Sequence, residues 1–420
     1  MRIAMLSFHT CPLATLGGKD TGGMNVYVHE LARQLGQKGI HVDVFTRSQD
    51  EHVPRVLHDL GFGNRVVHIP AGPQSPLKKE ELVAYLPEFV SGIQEFTTTK
   101  ELSYDLIHSH YWMSGIAGIE LKALWNVPVV HMFHTLGVMK QRVARTIEEV
   151  EGDYRLKGEQ EVIRTADRIV AATPAEFAQL QWLCQADIRK VVIIPPGVDL
   201  CHFYPIPADE AKEYIGVPPC DTMVLFVGRI EPLKGIDTLI EAIALMRKQG
   251  DLEGCPLCLA VIGGDPDTNE ENVNSEMERL HALREQYGLG DFVTFLGRRS
   301  QDTLPYYYSA AAAVVVPSHY ESFGMVALEA MACGTPVVAS QVGGLAFLVQ
   351  DGLTGYTVPV GEPAALADRL TKLINDPELR QRLGRQAAEF AHQYGWEVIA
   401  ERIIKLFSEV LEKKTDDVNG

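Results

Sequence analysis

The chain has 420 residues, of which 46% are apolar and 22% are charged. At roughly 150 residues per domain, this length predicts two or three globular domains, each able to bury a hydrophobic core. The formal net charge of −17, from 55 acidic and 38 basic residues, argues against a nucleic-acid-binding surface and against a polybasic membrane-binding face.

Membrane insertion and disulfide stabilisation are both disfavoured. The longest apolar run, residues 310–316, is far shorter than the about 20 residues that a membrane-spanning helix needs. The first residues show no signal-peptide pattern. The seven cysteines are irregularly spaced and predict no disulfide framework, so we expect a protein of the reducing cytoplasm. Cys255 and Cys258 lack further ligands for a zinc site, and we expect them in a buried strand.

The first half of the chain alternates short apolar runs, rich in β-branched residues, with amphipathic segments. This pattern is typical of repeated βα units around a parallel sheet. A helix is predicted over residues 24–38, where Val26, Leu31 and Leu35 can share one apolar face. The predicted strands are residues 2–7, 41–45, 66–69, 106–109, 129–133, 168–172 and 191–194.

Pro195, Pro196 and Gly197 then interrupt this rhythm, because two prolines disfavour a helix and the glycine permits a turn. We place the linker and expected hinge at residues 195–199. Residues 396–411 predict an amphipathic helix, and the charged residues 412–420 are expected to fray. The strands of the second half are predicted at residues 223–227, 258–262, 293–296, 312–316, 336–340 and 357–360.

These elements predict an α/β protein with two Rossmann-like, doubly wound domains. The expected boundaries are residues 1–196 for the first domain, 197–395 for the second, and 396–420 for a C-terminal helix. Two such domains facing each other would place a ligand cleft at the carboxyl ends of their strands.

A glycine-rich segment, residues 17–25, follows the first strand and precedes the first helix. Backbone amides of such a turn, around Gly23 and Asn25, can bind an anion because the helix dipole adds to their hydrogen bonds. The spacing fits neither a Walker loop nor a dinucleotide-binding fingerprint. A simple tight turn remains the alternative.

Arg229 and Lys234 lie in a second turn, again just after a strand. An arginine fork and a mobile lysine together can hold a diphosphate. The alternative is two solvated surface cations.

Glu321 and Glu329 flank the start of a predicted helix, with Ser322 as its expected cap. The two carboxylates would lie about 12 Å apart along a helix axis, which suggests two ends of one ligand rather than a hydrolytic pair. The first-turn amides of Gly324, Met325 and Val326 can receive a phosphate.

Four histidines, His108, His110, His131 and His134, occupy two strand ends. A zinc site is conceivable, but strand alternation would bury several of these side chains. His134, at a strand-to-turn junction, is better placed to contact a substrate. Another metal motif, Asp265 and Asp267, lies in a polar acidic loop that we interpret as solvated.

Taken together, the motifs resemble the retaining GT-B glycosyltransferases of glycosyltransferase family 4. The resemblance covers almost the whole chain and implies that the C-terminal helix, residues 396–420, crosses back onto the first domain. It rests on Asp20-Thr-Gly-Gly-Met-Asn25, the Gly228-Arg229 and Lys234-Gly235 pairs, the E-x7-E pair Glu321 and Glu329, Cys333-Gly-Thr-Pro336 and Gly343-Gly344.

Two subfamilies compete. The segments Asp105-Leu-Ile-His-Ser-His-Tyr-Trp112 and Gly158-Glu-Gln160 look like the mycothiol-pathway transferase that glycosylates inositol 3-phosphate. The run from His134 to Lys140 instead resembles the H-[ST]-L-G-x-x-K pattern of sucrose-phosphate synthase, and the inositol transferase usually has alanine in place of Gly137. Against the synthase, such enzymes usually carry Gln where Met24 stands. We favour the synthase.

The resemblance implies that Arg229 and Lys234 hold the donor diphosphate, Glu329 the ribose and Glu321 the hexose, with Arg298 flanking the base. Amides of Gly23 and of residues 324–326 would complete the anion site, and His134 would polarise the hexose. The residues implied for a phosphorylated acceptor are Asn25, Lys78, Tyr111, Thr135, Lys140 and Arg155.

The implied reaction moves glucose from UDP-glucose to fructose 6-phosphate with retained anomeric configuration, and it requires no metal cofactor. ADP-glucose remains the other donor, and the oligomeric state is open. Two other classes share the architecture. A sugar-nucleotide epimerase does not usually carry the E-x7-E pair, and a solute-binding protein normally has a signal peptide and no diphosphate clamp.

Overall fold

The computed structural model describes residues 1–15, 21–144, 152–217, 222–250, 257–264 and 271–419. These residues form two compact units. The first contains residues 1–15, 21–144, 152–197 and 396–419, and the second contains the described residues from 198 to 395.

The first unit is built on an eight-stranded sheet in the order β3-β4-β2-β1-β5-β6-β7-β8. All neighbouring strands are parallel except β3 and β4, which are antiparallel. The strands are β1 (Arg2–Leu6), β2 (His41–Arg47), β3 (Val56–Leu57), β4 (Arg65–Ile69), β5 (Leu106–His110), β6 (Val129–Met132), β7 (Arg168–Ala171) and β8 (Val191–Ile193).

Helices cover this sheet, which buries the side chains of its central strands on both faces. The helices of this unit are α1 (Gly23–Gln37), α2 (Lys79–Leu82), α3 (Leu86–Thr99), α4 (Trp112–Trp125), α5 (Gly137–Val143), α6 (Asp153–Thr165) and α7 (Pro174–Trp182). The helix predicted at residues 24–38 is present as α1, which buries Leu31 and Leu35.

The second unit has a parallel six-stranded sheet in the order β11-β10-β9-β12-β13-β14. Its strands are β9 (Thr222–Val227), β10 (Leu257–Ile262), β11 (Val293–Gly297), β12 (Ala311–Val316), β13 (Val337–Ser340) and β14 (Gly355–Val358). Its helices are α8 (Ala208–Ile215), α9 (Ile236–Gln249), α10 (Glu271–Gln286), α11 (Leu304–Ala310), α12 (Met325–Ala332), α13 (Leu345–Leu348), α14 (Pro363–Asn375) and α15 (Pro377–Ala391).

The last helix, α16 (Trp396–Asn419), belongs to the first unit. The Trp396 ring packs edge-on against Tyr27 of α1, and Lys38 Nζ forms an ion pair with Glu401 at 2.9 Å. The helix continues to Asn419, so the expected fraying from residue 412 was wrong for the backbone.

Every predicted strand is present, with its ends within two residues of the predicted ones. Short strand β3 was not predicted, because two residues are too few to show an alternation. Among the described residues, no helix combines the length with the apolar character that a bilayer-spanning segment requires.

Candidate active site

Two residues predicted for the site have a positive backbone φ. Tyr111 directly follows β5 with a φ of 70°, and His134 lies just beyond β6 with a φ of 61°. Such a conformation costs a residue with a Cβ on the order of 1–3 kcal/mol. Ring packing helps to hold it, because Tyr111 contacts His9 and His134 contacts Tyr27. Such strain concentrates at functional sites and supports a role for both residues.

The four predicted histidines lie side by side on β5, on β6 and just after β6. His110 Nδ1 is 3.0 Å from His134 Nε2, and Ser109 Oγ is 2.8 Å from His131 Nδ1. Burial lowers the pKa of His108 and of His134 to about 3, and it lowers the pKa values of His110 and His131 well below 6.5. All four imidazoles are therefore neutral at pH 7.

A metal site at these histidines gains no support from the geometry. In the part of the chain that the structure describes, no three His, Cys, Asp or Glu side chains are grouped as ligands of a metal ion. His110 and His134 instead bond to each other. Asp265 and Asp267 lie outside the described residues.

Arg155 is fully buried and already engaged by protein groups. Its Nε donates to Glu159 at 2.7 Å, and its Nη2 donates to the main-chain oxygen and Oγ1 of Thr135 at 2.8 and 3.1 Å. Both Glu159 oxygens also accept from the Gly137 amide, at 2.9 and 3.0 Å. Arg155 and Glu159 thus fix the segment that follows His134. The predicted contact of Arg155 with a phosphate stays a prediction.

The lysine next to the predicted one lies closer to Tyr111. Lys78 is exposed at the start of α2, where its amide donates to Glu81. The half-buried Lys79 has its Nζ 5.8 Å from the centre of the Tyr111 ring, and the Arg155 guanidinium lies 5.0 Å from the same ring. The family resemblance implied Lys78, whereas residue type alone does not distinguish the two neighbouring lysines. Predicted Lys140 is half-buried in α5.

Asn25, which was predicted to bind the acceptor substrate, uses both of its side-chain N–H groups within the protein. The residue is 1% exposed, and these groups donate to Thr10 Oγ1 and to the Cys11 carbonyl, both at 2.7 Å. Its oxygen accepts from the Gly22 amide at 2.9 Å. Asn25 therefore fixes the first turn of α1, whose first residue, Gly23, is exposed.

In the second unit, the two predicted cations follow β9. Lys234 Nζ is 2.6 Å from Glu321 Oε2, and both side chains are 19% exposed. Arg229 pairs with Glu231 at 2.6 Å and is 39% exposed. Each cation is held next to a carboxylate and remains accessible, so a diphosphate can compete for both.

Glu329 is the buried member of the carboxylate pair. Only 5% of its surface is exposed, and the Tyr308 hydroxyl donates to Glu329 Oε2 at 2.7 Å. Burial raises the pKa of Glu329 to about 7. The sequence did not single out Tyr308, because nothing distinguishes it within the run Tyr306-Tyr-Tyr308. Its hydrogen bond fixes the carboxylate that is predicted to hold a ribose.

The helix that contains Glu329 starts later than predicted. Gly324, with a φ of 106°, is the N-terminal flanking residue of α12, and Met325 is its first residue. The expected cap, Ser322, was wrong because the left-handed glycine sets the helix start. The first-turn amides of Met325 and Val326 keep the anion-binding character of a helix N-terminus. Arg298 follows β11 and is half-buried.

Gly343 and Gly344 bring the backbone against Glu321. A Cβ at Gly343, where φ is 46°, would lie 1.9 Å from the Glu321 carbonyl oxygen. The Gly344 amide donates to that same oxygen at 3.0 Å. The glycine pair therefore sets the position of Glu321, which explains why the motif contains two glycines.

We expect Gly343→Ala to destabilise the protein by about 3 kcal/mol or more, because it adds a backbone clash to a left-handed conformation. The matched control is Gly352→Ala, which has a φ of 73° but no atom within 4 Å of the added Cβ. The control should lose only about 1–2 kcal/mol. Urea unfolding of both variants measures the difference, and equal losses would contradict the clash.

The histidine cluster predicts acid sensitivity. The folded state keeps four histidines neutral while the unfolded chain protonates them below about pH 6.5, so their contribution to stability should be constant above that pH and fall as the pH decreases towards 3. Each histidine contributes about 1.4 kcal/mol per pH unit. Urea unfolding of the wild type and of His108→Gln from pH 8 to 5 isolates this contribution, because the raised pKa of Glu329 affects both proteins alike. His108→Gln should reduce proton uptake on unfolding by about one, and an unchanged uptake would contradict the assignment.

Two family models match the chain, one to each unit. The model described as Glycosyltransferase Family 4 matches residues 21–201, and the model described as Glycosyl transferases group 1 matches residues 208–390.

Full-length relatives agree with these matches. D-inositol 3-phosphate glycosyltransferase 2 of Catenulispora acidiphila is 41% identical, covering 98% of this chain and 95% of the relative. D-inositol 3-phosphate glycosyltransferase of Actinosynnema mirum is 39% identical over 99% of both chains. The structure of sucrose-phosphate synthase from Thermosynechococcus elongatus superimposes with a TM-score of 0.89 and 36% identity, covering 98% of this chain and 99% of that one. The chain therefore belongs to the group 1 and family 4 glycosyltransferases, and it has the predicted GT-B fold of two Rossmann-like domains.

Proposed function

We propose that this glycosyltransferase moves glucose from UDP-glucose to fructose 6-phosphate, with retention of the anomeric configuration and without a metal cofactor. The observation that carries the choice of acceptor is the environment of Gly137. A Cβ there would lie 3.0 Å from Arg155 Nε and 3.1 Å from its Cδ. The glycine of the synthase pattern thus permits the packing of Arg155 in this chain, whereas the alanine usual in inositol transferases would crowd it. The resemblance to the Thermosynechococcus elongatus synthase supports the same acceptor.

A second candidate is transfer to inositol 3-phosphate, with N-acetylglucosamine as the sugar. Relatives named as D-inositol 3-phosphate glycosyltransferases are 39–41% identical to this chain over almost its full length. Met24 also favours this acceptor, since synthases usually carry Gln there.

The proposed donor groups all belong to the second unit. Arg229 and Lys234 hold the diphosphate, and amides at the start of α12 add hydrogen bonds to it. Glu329, oriented by Tyr308, accepts hydrogen bonds from the ribose hydroxyls, and Glu321 binds the hexose. Arg298 flanks the base.

The proposed acceptor groups belong to the first unit. Thr135, Tyr111 and Lys140, with Lys78 or its neighbour Lys79, receive the acceptor phosphate and hydroxyls. Buried Arg155 holds Thr135 in place through two hydrogen bonds. A phosphate dianion needs such charge-assisted donors.

The chemical step chiefly requires stabilisation of the negative charge that develops on the leaving diphosphate. Two fixed cations and helix amides supply it in a preorganised form. No side chain need act as a nucleophile, because the departing phosphate oxygen can take the acceptor proton on the same face. That geometry accounts for retention.

Nucleoside diphosphate release decides between the acceptors. We expect release from UDP-glucose with fructose 6-phosphate in chelator-treated buffer, and none with fructose, because the phosphate is the recognised group. Inositol 3-phosphate should be offered with both UDP-glucose and UDP-N-acetylglucosamine. Release only with inositol 3-phosphate would move the assignment to the second candidate, and epimerised donor without release would indicate an epimerase.

Lys234→Ala should reduce kcat by about 100-fold or more, because it removes a cation from the developing charge. The matched control is Lys372→Ala, which removes a lysine from the exposed ion pair with Asp368 in the same unit. The control should keep turnover and stability. Wild-type turnover in Lys234→Ala, with steady-state kinetics on folded protein, would refute the proposed diphosphate clamp.

A further inference from the structure

His134 has one hydrogen-bond partner among the described residues, the imidazole of His110. Its Nε2 lies 3.0 Å from His110 Nδ1, and His110 is fully buried at the end of β5. The family motifs quoted above give His110 no role. Which ring donates the proton in this hydrogen bond determines the tautomer of His134.

Two neutral imidazoles can share this bond in two ways. Each neutral ring carries one N–H donor and one bare nitrogen acceptor, so one ring donates and the other accepts. If His134 Nε2 donated to His110 Nδ1, the single N–H of His110 would be at His110 Nε2. That atom is buried and has no hydrogen-bond partner among the described residues.

An orphaned buried N–H is rarer and more costly than an orphaned acceptor. The arrangement that avoids it places the proton of His110 on Nδ1, inside the bond to His134. His134 then accepts at Nε2 and carries its own proton on Nδ1.

The surroundings hold the two rings in this relation. The Tyr27 ring packs edge-on against both, with ring centres 5.4 Å from His110 and 5.2 Å from His134. The left-handed backbone of His134 further limits where its ring can point. The two rings therefore hold this relative orientation before any ligand binds.

We propose that His110 is a positioning residue that donates its Nδ1 proton to His134 and so holds His134 as the Nδ1–H tautomer, with a hydrogen-bond donor available to a sugar hydroxyl. The proposal deepens the proposed function, because it rests on the role of His134 at the hexose.

The first test is the tautomer of His134 in the substrate-free protein. Protonated and unprotonated imidazole nitrogens resonate far apart in a spectrum of protein labelled with 15N-histidine, and His134→Gln identifies the His134 signals. We expect a protonated Nδ1 and a bare Nε2 at pH 7. A protonated Nε2 on His134 would overturn the proposal without reference to any substrate.

The second test is kinetic. His110→Leu removes the donor and should lower kcat about 10- to 100-fold with little change in KM, while His134 loses its single tautomer in the spectrum. His110→Asn can place an amide N–H near the position of Nδ1, and it should restore kcat to within about 5-fold of wild type.

The matched control is His131→Asn, which alters a buried histidine that bonds to Ser109 and not to His134. It should lower the melting temperature and leave kcat within about 3-fold. Equal loss of kcat in His131→Asn and His110→Leu would show a structural effect and overturn the proposal. If His110→Leu fails to fold, the wild-type tautomer and the Asn variant still decide. Full turnover in His134→Gln would instead refute the proposed role of His134 and leave the tautomer result standing.

Discussion

A parallel sheet with helices on both faces leaves its strand ends as the main place for polar chemistry. Side chains along the strands are buried, so polar groups there lose their water and need protein partners. Tyr111 and His134 follow two neighbouring strands of the first sheet, and Arg229 follows a central strand of the second. The positions of the candidate residues follow from this constraint before any chemistry is considered.

The same constraint explains why the candidate residues occur in pairs. His134 bonds to His110, and Arg155 bonds to Glu159. In the second unit, Lys234 pairs with Glu321, and Tyr308 donates to Glu329. A half-buried polar group that must keep one orientation needs a partner that is itself fixed. The partners are therefore as much part of the site as the residues that the motifs contain.

The repeated alternation of apolar and amphipathic segments predicted the fold and its strands well, because burial of a parallel sheet imposes that pattern over the whole chain. The site was less predictable. Arg155 and Glu159 have the i, i+4 spacing of a helical ion pair, so their bond could have been anticipated. Tyr308 and Glu329 meet only through tertiary packing, and no local pattern records that contact.

Other differences between the predicted and the observed surroundings have local causes. Lys79 lies near the Tyr111 ring, and two neighbouring lysines do not show in the sequence which of them faces it. The helix start at Gly324 depends on a left-handed glycine, where an added Cβ would lie 2.5 Å from Leu345, whereas the sequence offered the more usual cap, Ser322. Asn25 looked available for a ligand because its partners, Thr10 and Cys11, lie on the preceding loop rather than in its own motif.

Because the four histidines are neutral, the proposed hydrogen-bonding role and the proposed charge-stabilising role belong to different residues. Burial keeps His134 uncharged at pH 7, so it can donate a hydrogen bond but cannot neutralise a leaving diphosphate. In the proposed function, the cations near the sugar-nucleotide donor are instead Arg229 and Lys234, whose side chains remain partly exposed. In the proposed function, His134 of the first unit is therefore a neutral, oriented hydrogen-bond donor, whereas Arg229 and Lys234 of the second unit are accessible cations. The difference follows from how deeply each unit buries the side chain.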